Sequence, residues 1–189
     1  MSDIVEIIQE NVEQNNRNKI NSIVAILVAF TATFMALCNV KDGNIVQAMS
    51  QAQAHSIDAW AYYQAKSTKE AMAENSVELL KMQKNAGGEI LIQKYEAQII
   101  KYGKEKAVIK AQAEGFQKEY EDTNLFDDQF DMTEALLSIS IAMLGIASLT
   151  QKKWLLYFAA SVSFIGIVLG VTAFMKINLH FDFISKILG

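Results

Sequence analysis

The apolar positions of the chain fall into long uncharged stretches, of which the first runs from Ile20 to Val40. At 1.5 Å per residue, a helix of this length crosses about 30 Å of hydrocarbon. Two more uncharged stretches follow near the C-terminus, with only Lys152 and Lys153 between them. We predict three transmembrane helices at residues 20–40, 131–151 and 154–175, the last two joined by a tight turn.

Residues 41–130, between the first two spans, carry apolar and small residues at alternating spacings of three and four. This spacing is typical of helices that pack along one seam. The first seam comprises Ile45, Met49, Ala52, Ser56, Ala59, Tyr63, Ala73, Val77 and Leu80, and the second comprises Ile92, Tyr95, Ile99, Tyr102, Ile109, Ala113, Phe116 and Tyr120, interrupted by Lys106. Two glycines at residues 85–88 predict a turn between the two seams. We therefore expect a long antiparallel, coiled-coil-like helical hairpin, or stalk.

The two ends of the chain also carry helical stripes of apolar residues. Residues 1–19 form one amphipathic segment, and residues 176–189 form an amphipathic tail. Either segment could lie along the membrane surface or pack on a neighbouring subunit. The predicted fold class is thus an all-α membrane protein with three transmembrane helices, in which the hairpin separates the first span from the second.

Composition and charge narrow the possible partners and functions. The chain lacks proline, which suits long uninterrupted helices, and its net charge of −4 argues against a nucleic-acid partner. Arg17, Lys19 and the lysine pair at residues 152–153 flank the spans on one side, so the N-terminus is expected in the cytoplasm and the hairpin outside it. Membrane lipid is the first expected partner. Because Cys38 is the single cysteine of the chain, an internal disulfide bond is excluded.

The sequence offers few groups that could carry chemistry. Six acidic residues lie before or at the start of the second span: Glu121, Asp122, Asp127, Asp128, Asp131 and Glu134. They lack the spacing of a calcium loop and are interpreted as a solvated helix face, although a cation site stays open. His55 and His180 have no ligand partners at metal-binding spacing. We predict no catalytic residue, metal or cofactor, and so no enzyme. Gly166 and Gly170 form a small-xxx-small pair that predicts close helix packing, between spans or between subunits.

The most distinctive segment is Trp60-Ala61-Tyr62-Tyr63-Gln64-Ala65-Lys66-Ser67. It resembles the WAYYQAKS signature of a family of bacterial membrane proteins known only as a domain of unknown function. The resemblance extends over most of the chain and implies bacterial origin and location in the cell membrane, but no activity. Trp60, Tyr62, Tyr63, Gln64 and Lys66 match the motif and are predicted to form an interaction surface.

These patterns favour a structural or interaction protein that self-associates and presents the stalk to a sister subunit or to another, unidentified protein. Two packed helices bury one stripe each, and the remaining apolar side chains need a further partner. The alternative is a subunit of an oligomeric channel or transporter. The uncharged stretches of the spans, residues 20–40, 135–151 and 154–175, contain no Asp, Glu, Lys, Arg or His. Such residues inside a span are the usual mark of ion-coupled transport, and their absence from these stretches counts against the alternative.

Overall fold

A computed structural model describes residues 2–83 and 88–177, and within them the chain forms three helices and no strand. Helix α1 runs from Ser2 to Gln83, α2 from Gly88 to Thr150 and α3 from Lys153 to Phe174. Each helix contains a segment long and apolar enough to cross a membrane. The expected glycine turn and the C-terminal tail lie largely outside the described residues.

Helix α1 is one uninterrupted α-helix of 82 residues. It includes the predicted N-terminal amphipathic segment, the first span and the first hairpin helix, and no break separates them. Helix α2 likewise continues from the second hairpin helix into the second span. Hydropathy changes along these helices mark a change of surroundings, and the backbone hydrogen bonding continues through each of them because no proline or paired glycine interrupts it.

The helices build two compact units. The first unit comprises Met1–Val46 and Asn124–Gly189, and the second comprises Gln47–Thr123. We call them the span unit and the hairpin unit. The span unit contains all three predicted transmembrane segments, whereas the hairpin unit consists of the remaining parts of α1 and α2.

Packing in the span unit joins all three helices. One buried cluster consists of Ile20, Val24, Leu144, Ala147, Leu155, Leu156 and Ala159. A second group is aromatic: the ring of Phe174 packs edge-on against Phe34 of α1 and Phe130 of α2, at centroid distances of 6.3 and 5.2 Å. The chain turns between α2 and α3 at Gln151, which has a φ of 58°, so that Lys153 is already helical.

The hairpin unit pairs the two predicted seams, with α1 and α2 running in opposite directions. The α1 hydroxyl of Ser56 donates a hydrogen bond to the Ala113 carbonyl, and Lys81 bonds Glu96 nearer the other end. Ala52, Ala73 and Val77 of α1 and Ile109 and Ala113 of α2 are buried at the contact. Met49 of α1 is also buried, and the remaining seam residues of this unit are half-buried.

Candidate functional site

The residues of the aromatic motif face two different surroundings. Trp60, Tyr63 and Lys66 are half-buried, and the Trp60 ring packs edge-on to Tyr63 at 5.6 Å. Tyr62 and Gln64 are exposed to solvent. The five residues therefore do not form one free surface, because the motif contributes part of its side chains to the contact between α1 and α2.

Charged residues form a layer inside this contact. Lys66 of α1 pairs with Glu105 of α2 at 2.6 Å, and Lys106 of α2 pairs with Glu70 of α1. Between 12% and 33% of each of these four side chains is exposed. We call these four residues the charged layer. Because each charge has an oppositely charged partner across the seam, the layer avoids the cost of burying a lone ion.

Aromatic rings surround the two lysines of the charged layer. The ammonium group of Lys66 lies 5.0 Å from the Tyr62 ring centre and 5.4 Å from that of Tyr102, and Lys106 lies 5.7 Å from that of Tyr63. These distances suit cation–π attraction, which is stronger where water is partly excluded. The hydrogen bond to Glu105 raises the pKa of Lys66, and the same bond lowers the pKa of Glu105. Both groups are therefore held in their charged forms.

A glycine makes room for the charged layer. A methyl group added at Gly103 would lie 3.3 Å from the Oε1 atom of Glu70, which is tighter than an ordinary van der Waals contact. Glycine at this position lets the Glu70 carboxylate reach Lys106 across the helix surface. The site as a whole can hold two helices together by charge and ring contacts.

Gly166 and Gly170 of α3 lie against other spans of the same chain. A methyl group at Gly166 would come within 2.9 Å of the Leu137 side chain on α2. One at Gly170 would come within 2.8 Å of Phe34 on α1 and 2.9 Å of Thr133 on α2. Both glycines thus pack closely against other helices of the same chain.

Acidic residues from two helices meet in the span unit. One side-chain oxygen each of Asp42 on α1 and Asp127 on α2 is buried without a hydrogen-bond partner. Burial, followed by the charges of Asp42 and Asp131, raises the pKa of Asp127 to about 6. Burial and the charge of Asp131 also raise the pKa of Asp42. These carboxyl groups favour protonation, as expected for like charges brought together away from water.

The described residues include no group of three or more histidine, cysteine, aspartate or glutamate side chains placed to hold a metal ion. The open possibility of a cation site in the acidic segment therefore gains no support there. His55 stacks at a tilt on the Phe116 ring, 5.2 Å between centroids, within the hairpin unit. His180 lies outside the described residues.

Sequence reasoning missed the pairing that the charged layer makes. Lys66 and Glu70 continue the α1 seam from Tyr63 to Ala73 without a change of spacing, but a seam defined by apolar and small residues does not include them. Lys106 was interpreted as an interruption of the α2 seam for the same reason. The uninterrupted spacing was the signal that could have identified them as seam residues.

Comparisons with known proteins give a family without an assigned activity. A family model described as Domain of unknown function (DUF4337) matches residues 20–176. No curated protein and no solved structure is significantly similar to the chain. The match covers the first span, the hairpin unit and the two later spans.

Proposed function

The chain belongs to the family described as Domain of unknown function (DUF4337), and from that premise we propose that it is a membrane-anchored interaction protein. In this proposal the span unit holds the chain in the membrane. The hairpin unit is a coiled-coil-like stalk that self-associates and is presented to a sister subunit or to another protein. The protein acts by contact rather than by catalysis.

The observation that carries this proposal is the apolar surface of the hairpin unit. Its two helices bury one seam each, yet large apolar side chains remain exposed on both helices. They include Ile57, Met72, Leu79 and Met82 on α1, and Ile90, Leu91, Ile100 and Val108 on α2. A two-helix unit in water that leaves these side chains exposed has not buried all of its apolar surface. Contact with another chain would bury the remaining apolar side chains.

Polar contacts of the span unit support anchoring over the alternative of a channel or transporter subunit. The hydroxyl groups of Thr31 and Ser163 share a buried 2.8 Å hydrogen bond, and the Ser140 hydroxyl donates to the Ala159 carbonyl at 2.9 Å. The outward-facing hydroxyls of Thr33 and Ser161 donate to carbonyls of their own helices. Polar groups that are satisfied in this way do not need to line a water-filled passage.

Location and orientation form part of the same proposal. The resemblance of the aromatic motif to a bacterial membrane family supports a bacterial cell membrane. Arg17 and Lys19 precede the first span, and Lys152 and Lys153 lie between the second and third. The preference of such residues for the cytoplasmic side supports a cytoplasmic N-terminus and an extracytoplasmic stalk.

The mass of the full chain purified in mild detergent tests the proposal. We expect a particle of two or more chains when light scattering is corrected for bound detergent. A closed ring of subunits around an open passage would favour the channel alternative instead. A particle that stays monomeric over the whole accessible concentration range would refute self-association.

A further inference from the structure

A second stripe of residues follows α1 through the hairpin unit. It consists of Ile57, Ala61, Gln64, Thr68, Met72, Asn75, Leu79 and Met82. All eight side chains are exposed, and none is charged. Their spacings of four and three residues place them along one face of the helix. We call this set the outer α1 stripe.

The outer α1 stripe lies opposite the seam that packs on α2. At about 100° per residue, the stripe and the buried residues Ala52, Ala73 and Val77 point in directions roughly 180° apart. Besides the seam that α2 occupies, helix α1 therefore has a second face, and this face contains no charged side chain. This second face is built like a packing surface, and no described residue of the chain packs against it.

The charge pattern favours a second copy of the same chain as the occupant. When a helix face packs on its own copy in a parallel pair, each position meets itself, so any charged position would face a like charge. The outer α1 stripe has no such position over about 40 Å of helix. The matching outward face of α2 contains the exposed residues Lys104 and Lys118, and self-pairing there would bring lysines together.

The polar members of the stripe also suit a parallel self-pair. Copies inserted into one membrane with the same orientation present α1 in the same direction. Gln64 would then meet Gln64 of the other copy, and Asn75 would meet Asn75. Side-chain amides can donate and accept hydrogen bonds with each other, and one such residue inside a helical pair fixes its alignment.

The available area fits association within a membrane. A stripe about 40 Å long and about 10 Å wide offers roughly 400 Å² per copy, or about 800 Å² for the pair. Stable complexes between soluble proteins bury about 1,200–2,000 Å². The stripe is thus too small to join two soluble proteins tightly, but confinement in one membrane raises the effective concentration and lowers the area required.

We infer that the outer α1 stripe is the contact between two copies of this chain, which pack α1 against α1 in parallel. The inference rests on the proposed self-association and names its surface. The exposed aromatic side chain of Tyr62 and the outward face of α2 stay free for any further partner.

Disulfide crosslinking of single-cysteine variants of the full chain in its membrane tests this contact. The background is Cys38→Ala, which removes the only native cysteine, a fully buried one. Leu79→Cys lies in the stripe, and Val108→Cys is its matched control on the outward face of α2, because 59% of each native side chain is exposed. A disulfide needs Cα atoms within about 7 Å, so only residues that face their own copy form a dimer efficiently.

We expect mild oxidation to convert the Leu79→Cys variant largely to a covalent dimer and to leave the Val108→Cys variant largely monomeric. As a second measurement, Leu79→Glu should weaken association by at least about tenfold, whereas Val108→Glu should leave it nearly unchanged. Equal crosslinking of the two cysteine variants, or preferential crosslinking at Val108, would overturn the inference.

The detergent particle mass separates this inference from the proposed function. If Leu79→Cys fails to crosslink while the particle still contains several chains, copies associate through another surface and only the stripe inference is wrong. If the particle stays a monomer at the highest accessible concentration and neither cysteine variant crosslinks in the membrane, self-association itself is wrong, and the stripe inference is refuted with it.

Discussion

Substituting Gly170 by alanine tests the packing of the span unit at its tightest point. The new methyl carbon would lie 2.8 Å from Phe34 Cε1 and 2.9 Å from Thr133 Cγ2. Ordinary carbon contacts are about 3.5–4.0 Å, so both overlaps approach 1 Å. The Phe34 ring cannot easily yield, because it packs against Phe174, which itself packs against Phe130. Relief therefore requires α3 to move away from its neighbours.

The expected cost follows from two opposing effects. Overpacking of this kind costs about 1–3 kcal/mol, and two overlaps below 3.0 Å place Gly170→Ala near the upper value. Replacing a helical glycine by alanine gains up to about 1 kcal/mol. The net destabilisation is about 2 kcal/mol, which lowers the midpoint of thermal unfolding by about 4–8 °C for a chain of this size.

Gly145 of α2 provides a matched control. A methyl group there would meet nothing within 4 Å, so Gly145→Ala should leave the thermal midpoint unchanged or raise it slightly. Both variants are measured by circular dichroism or differential scanning fluorimetry in the same detergent. If Gly170→Ala were as stable as Gly145→Ala, the close contact of α3 with α1 and α2 described here would be wrong.

Three further predictions concern polar groups. Lys66→Ala should lower the thermal midpoint more than Lys101→Ala, because 12% of the Lys66 side chain is exposed against 69% of the Lys101 side chain, and because Lys66 lies 2.6 Å from the Glu105 carboxylate and Lys101 lies 3.9 Å from it; equal effects would contradict the charged layer. Asp127 has a pKa of about 6 in the folded protein and an ordinary value of 3.8, so the folded state binds the proton more tightly. Its contribution to stability is greatest below about pH 4 and is lost as the pH rises through 6; Asp127→Asn should flatten thermal midpoints measured across this range, and an unchanged profile would refute the assignment. A double-mutant cycle of Thr31→Val and Ser163→Ala, read by unfolding in detergent, should give a coupling of about 0.6 to 1.7 kcal/mol, and additive effects would argue against their hydrogen bond.

Hydropathy and periodicity predicted much of the architecture. The three apolar segments lie in three helices, and the predicted seam residues, among them Ile45 and Ile109, are buried or half-buried in the structure. Periodicity succeeds here because each helix must turn its apolar face towards a neighbour. The predicted segment boundaries near residues 19 and 40 do not interrupt α1, because hydropathy reports the surroundings of a helix and not its backbone continuity.

The candidate site was predicted less completely. The sequence identifies the aromatic motif. Which of its side chains face α2 and which face solvent depends on the position of α2, and a single sequence does not show that position. Asp42 and Asp127 are far apart in the chain, and only tertiary packing brings them together. The charged layer was missed because a lysine in an apolar pattern normally marks a solvated position, and only its partner on the other helix reverses that interpretation.

The alternating signs of the charged layer have a consequence for folding. On α1 a lysine precedes a glutamate by four residues, and on α2 a glutamate is followed directly by a lysine. If α1 slipped by one helical turn along α2, Glu70 would take the place of Lys66 and face Glu105; a slip in the other direction would bring Lys66 to Lys106. The apolar parts of both seams repeat so regularly that such slipped pairings would still bury them. Like charges would make each slipped pairing short-lived, so the layer selects one register among several that the hydrophobic pattern alone would permit.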